Sequence, residues 1–226
     1  MTIRMNAILR LLAIVVAGAI AVAVLQPVAE ERVRADGVLR TSNGDTVEID
    51  DDARRAGLRF TAGVTPAQRE WVLAAIAAAR PEAVRLIAEV DGLVTVGNYV
   101  ENGETLGVTS SGPRGFAVDL NVARLDGDRA MDRSSVVLHE LGHVIDFALV
   151  PRDLNARLDE QIPRGGPCGI AIDCDRIEER FADTFAKWAF RGAVAEIGAG
   201  YGIAMPASLE GWGAPLAQLA HGLAED

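Results

Sequence analysis

The chain has 226 residues, half of them apolar, which is enough for one sizeable core and about one domain. Charged residues make up 24%, near the globular norm, and this argues against wholesale disorder. A formal net charge of −10, from 22 basic against 32 acidic residues, lacks the basic excess that a phosphate backbone demands and argues against nucleic-acid binding.

Residues 1–29 have the layout of a targeting segment. Arg4 and Arg10 precede LLAIVVAGAIAVAVL (11–25), which carries no charge, and Glu30 and Glu31 come after it. A positive tail ahead of an apolar run keeps the N-terminus in the cytoplasm and exports the chain beyond the run. Ala21-Val22-Ala23 fits a small-x-small cleavage pattern, so the segment reads as a signal peptide or as an uncleaved anchor. The uninterrupted run is short of the ~20 residues that cross a bilayer comfortably. Either way, residues from 30 onward are expected outside the cytoplasm, secreted or tethered to the membrane.

Residues 30–57 are charged and read as a linker with one short hairpin. Leu58–Ala62 reads as a strand. Thr65-Pro66 then opens a helix, Thr65 as its cap and Pro66 in its first position. Trp71, Leu73, Ala74, Ala77 and Ala78 are the expected apolar face of that helix, and a second short helix spans 81–90. Strands are expected at 93–100, 105–109 and 116–125. Helices come next, so the order of elements reads as α+β. The domain is expected to span 58–226.

Residues 139–143 read HELGH, after Asp132 as a helix cap and with Leu138, Leu141, Ile145 and Ala148 at helical spacing. His139 and His143 are four apart, so both imidazoles leave one side of the helix, where one Zn²⁺ can take both. Glu140 is then beside the first ligand, suited to take a proton from water and pass it to a leaving amine. Gly142 lets another backbone approach closely. A catalytic zinc site needs a third protein ligand. The position six after His143 is Leu149, which leaves a carboxylate as the expected donor. DRIEERFADTFAKWAFR (175–191) supplies it: Phe181, Phe185 and Trp188 set the buried stripe, and Glu179 and Asp183 share an offset face. Glu178 stands three after Asp175 and fits a capping box. Glu179 is therefore the expected third ligand, with Asp183 accepting the free ring N–H of a metal-bound histidine. The single lysine, Lys187, carries no expected role beside 21 arginines.

HELGHVID and then EERFADTFAKW resemble the paired motifs of the gluzincin metallopeptidases, in particular the anthrax lethal factor catalytic domain-like family. The resemblance covers 135–190 closely, and 58–130 only through strand order. It implies a zincin-like domain with a small mixed sheet and an HExxH active-site helix, His139, His143 and Glu179 on Zn²⁺, and Glu140 as general base. The family's tyrosine ahead of the third ligand has no counterpart in GPCGIAIDCD. The oxyanion donor is then sought downstream, in Tyr201 or His221. Cys168 and Cys174 in that loop read as a bridge in an oxidising compartment or as two free thiols. The expected function is hydrolysis of a peptide or protein substrate laid along the 116–125 strand, taken as a sheet edge. The alternatives are a non-catalytic zincin-fold binding module at the cell surface and a metal-free inhibitor or structural factor.

Overall fold

The computed structural model describes residues 38–40, 46–48, 57–126, 132–164, 176–192 and 203–223. The segment 11–25 lies outside them. Among the described residues no helix is long and apolar enough to cross a membrane.

The expected hairpin is present: β1 (Val38–Arg40) pairs antiparallel with β2 (Thr46–Glu48), forming a sheet of its own. After β3 (Arg59–Phe60), α1 spans Pro66–Ala78. Thr65 closes a capping box with Gln68, each side chain accepting from the other's backbone N–H. The buried side of α1 is Gln68, Val72 and Ala75, not the Leu73 and Ala74 face expected, and Leu73 is exposed. A run such as WVLAAIAAA has too few polar residues to mark one face by periodicity.

Helix α2 (Pro81–Val90) buries Ala83, Leu86, Ile87 and Val90, and a single 3-10 turn leads into β4 (Val94–Tyr99). A hairpin comes next, β5 (Gly107–Gly112) and β6 (Gly115–Asn121). Its turn needs Gly115: φ is +118°, and a Cβ there would lie 2.1 Å from Leu93 O. Val122–Leu125, expected to extend the strand, is instead a short helix, α3.

The four-stranded sheet runs β3-β4-β6-β5, with β3, β4 and β6 parallel and β5 antiparallel. It is therefore small and mixed, and the architecture is α+β. The order corrects one expectation. Strand β6 has neighbours on both sides, so the open edge near the HELGH helix belongs to β5. The hairpin strand β2 passes close to β5 without joining its ladder.

Helix α4 (Arg133–Ala148) starts as expected, with Asp132 accepting from Ser134 N, Ser135 N and Ser135 Oγ. It is buried from Ser135 through Asp146, because it lies between two layers. Strands β5 and β6 and helices α1 and α2 pack on it, and so does α6 (Ile177–Ala189). Helix α5 (Arg152–Glu160) and α7 (Leu209–Gly222) close the far side of α6. Val94, Val96, Phe116, Val118 and Leu120 from the sheet join Leu138, Leu141, Ile145, Phe181, Phe185 and Trp212 in one core.

Candidate metal centre

Two helices meet at the site. On α4, His139 and His143 are one turn apart and both buried. On α6, the stripe Phe181, Phe185 and Trp188 packs into the core as expected and turns Glu179 toward the histidines. The helices approach closely because Gly142 has no side chain. A Cβ there would lie 3.1 Å from Ala182 Cα and 3.2 Å from Ala182 O.

Buried Arg180 fixes the start of α6. It donates to Asp159 Oδ1 at 2.5 Å, Ile162 O at 2.6 Å and Pro163 O at 3.2 Å. This ties α6 to the end of α5, one residue from Glu179. Helix α6 begins without a side-chain cap: its N-cap is Arg176, and Glu178 pairs with Arg176. The capping box expected of Glu178 is therefore not made by that residue, while Asp175 lies outside the described residues.

His139 Nε2 and His143 Nε2 are 3.2 Å apart. Glu179 Oε2 is 3.2 Å from the first and 3.5 Å from the second. This group can hold a metal ion. Its electrostatics are those of a tight carboxylate–imidazole cluster. Burial pushes the Glu179 carboxyl up, but the hydrogen bonds and charge of both histidines outweigh it and hold it well below the usual range. Burial opposes the charged form of His143, yet Glu179, Glu140 and Asp146 together raise its pKa. The side chain of Glu179 stays 22% exposed against 1% for His139, so the cluster opens to solvent on the α6 side.

Around the cluster, Phe147 stacks on His143 with ring centroids 5.9 Å apart. Asp146 is buried and accepts from Asn155. Burial pushes its carboxyl up to about 7, against the hydrogen bond from Asn155 and the charge of His143. Asp183 is wholly buried, one turn beyond Glu179, but its resolved partner is not a histidine. Lys187 Nζ donates to Asp183 Oδ2 at 2.6 Å and also to Ile203 O. Among the described residues Asp183 Oδ1 has no hydrogen-bond partner, although it is buried. Burial raises the Asp183 carboxyl, and the Lys187 ammonium opposes that. The lone lysine thus has a structural role that composition hid.

Glu140 is buried beside His139, facing the sheet. Thr109 Oγ1 on β5 lies 2.8 Å from its Oε2. His221 is not brought to the cluster. It is exposed near the end of α7, with Nδ1 3.0 Å from Arg85 Nη1 on α2. Tyr201, Cys168 and Cys174 lie outside the described residues. Thr109, Gly107 and Arg180 carry no signal of their own in the sequence, because each acts through a contact distant along the chain; Lys187 stands four residues after Asp183 on one helix, a spacing that the sequence does show.

Comparison with known proteins adds no relative: no family model, curated protein or solved structure matches the chain.

Proposed function

We propose that this protein is an exported zinc peptidase with a zincin-like domain, hydrolysing peptide bonds in an extended polypeptide. One observation carries the reading. Tetrahedral zinc with bonds of ~2.0–2.1 Å to nitrogen and oxygen sets neighbouring ligand atoms ~3.3 Å apart. The three donor atoms of His139, His143 and Glu179 stand 3.2, 3.2 and 3.5 Å from one another. Two imidazoles and one carboxylate are also the donor set of catalytic zinc, with room left for water. When bound, the ion would acidify a water and polarise a carbonyl oxygen.

The residues of the chain supply the rest. Glu140, next to the first histidine, takes the proton of the attacking water on its carboxylate and hands it to the departing amine. Strand β5, at the open edge of the sheet and against Glu140, offers backbone N–H and C=O groups to an extended peptide. This replaces the 116–125 strand, whose two sides are occupied. Export rests on the charge and apolar pattern of residues 1–29.

The test is metal analysis of the purified protein, with cleavage of a mixed peptide pool by the wild type and by Glu140→Gln. One zinc per chain and cleavage by the wild type are expected, with zinc retained and cleavage abolished in the variant. Zinc without cleavage would favour a non-catalytic binding module. No zinc would overturn the reading.

A further inference from the structure

Strand β5 touches Glu140 at two residues of the same face, Gly107 and Thr109, two apart along the strand. At Gly107 a side chain could enter only by displacing the carboxylate of Glu140. A Cβ there would lie 2.6 Å from Glu140 Oε1 and 2.8 Å from its Cγ and Cδ. At Thr109 the contact is polar. Its Oγ1 lies 2.8 Å from Glu140 Oε2 and 3.0 Å from the main-chain oxygen of the same residue. The hydroxyl carries one hydrogen, which these two acceptors share. Thr109 therefore references the carboxylate to the backbone of its own helix.

The strand is itself held. Thr109 pairs with Val118 of β6, and Gly107 with Leu120. Buried Asn121 fixes the approach to β5: its N–H donates to Leu106 O at 2.9 Å, and its Nδ2 donates to Thr105 O at 2.8 Å and Glu101 O at 3.0 Å. A glutamate side chain has three rotatable bonds, and ordering it costs rotamer freedom. A charge-assisted hydrogen bond from a fixed strand is a sufficient offset.

We propose that Thr109 is a positioning residue for Glu140: its hydroxyl, presented by the edge strand, holds the carboxylate in the one orientation from which it can take a proton at the metal centre. This rests on the reading of Glu140 as the base. Gly107 is the steric half of the same device, leaving the room that the carboxylate occupies.

The experiment uses the full chain loaded with zinc, and acetohydroxamic acid as the probe. A hydroxamate chelates the ion through two oxygens and gives its proton to an adjacent carboxylate, so its affinity reports where that carboxylate stands, with no turnover needed. Thr109→Val keeps the shape and removes the donor. It should weaken hydroxamate binding about tenfold while zinc affinity, read by competition titration, stays at the wild-type value. Thr109→Ser restores the donor and should recover most of the loss. Gly107→Ala should weaken the probe through displacement of the carboxylate, with zinc again retained. In a Glu140→Gln background, Thr109→Val should have little further effect. Equal hydroxamate affinity in the wild type and Thr109→Val overturns the inference, and so does an undiminished effect in the Glu140→Gln background. Wild-type protein that binds neither zinc nor hydroxamate instead overturns the reading of the site itself, and the inference with it.

Discussion

Adjacent residues on a helix point about 100° apart, so one step along the chain separates a carboxylate that reaches the histidines from one that does not. Glu178 and Glu179 show this. Glu178 pairs with the exposed guanidinium of Arg176, whereas Glu179 reaches both imidazoles. Replacing Glu179 by Ala should lower zinc affinity by about tenfold or more, because one of the three donors is lost. Glu178→Ala should cost only about 0.5–1 kcal/mol of stability, from a surface pair and a first-turn charge. Zinc competition titrations and melts of both variants check this, and a loss of zinc in Glu178→Ala alone would reverse the assignment. Asp146 gives a pH signature. Its folded-state pKa, about 7, lies above the ordinary 3.8, so the folded chain holds the proton more tightly than the unfolded chain. Its contribution to stability is then complete below pH 4 and is lost as pH rises through 7. In chelator-treated protein, Asp146→Asn keeps an acceptor for Asn155 and cannot ionise. It should stabilise the fold more at pH 8 than at pH 4, as denaturant melts at the two values will show. The residues legible in the sequence are those with a local signature: HELGH by spacing, and Glu179 by its offset from Phe181, Phe185 and Trp188. Thr109 has none, because a hydroxyl in GVTSSG is ordinary until the fold brings Glu140 against it, whereas Lys187 stands one helical turn from Asp183 and only its burial and its bond to Ile203 O depend on the fold.

At the scale of elements, the contact of α4 with α6 sets the separation of the histidines from Glu179, and Gly142 controls it. Gly142→Ala gains up to ~1 kcal/mol of helix propensity. It also places a Cβ 3.1–3.2 Å from the backbone of Ala182 and the ring of Phe185, where overpacking costs about 1–3 kcal/mol. A helix backbone yields less readily than a side chain, so the second effect should win. Stability should fall modestly and zinc affinity more clearly, as Glu179 moves off the histidines. An unchanged zinc affinity would mean that the site tolerates a wider gap than the contact suggests. The elements themselves are largely legible: the caps at Thr65 and Asp132, the strands near 93–100 and 105–109, and the helix at 177–189 arise from turn chemistry and period. The order of strands is not. Pairing of β6 with β4 is decided between segments some twenty residues apart, and nothing in FAVDLNVARL says that both its sides are covered. The same strand reads four residues too long at its end, because Val122–Leu125 is as apolar as a strand but turns at Asn121 into α3.

For the molecule as a whole, the centre joins segments that are distant along the chain. Helix α4 is the middle layer, buried against the sheet on one side and α6 on the other. A metal ion held by His139, His143 and Glu179 would bridge two of those layers, across 36 residues of sequence from His143 to Glu179. Anything that binds only the folded state stabilises it by mass action, by ~2.7 kcal/mol when the free ion is at a hundred times its dissociation constant. For a chain of this size each kcal/mol moves the midpoint by about 2–4 °C, so zinc should raise the melting temperature by ~5–11 °C over chelator-treated protein. The rise should scale with the logarithm of free zinc and shrink in Glu179→Ala, which retains both imidazoles but loses the bridge to α6. Glu140→Gln should show the full rise, since it removes the base and leaves all three donors. Calorimetric melts across a zinc series test this together with the ligand assignment. A midpoint indifferent to zinc, or one that rises equally in Glu179→Ala, would mean that the ion does not join the two helices.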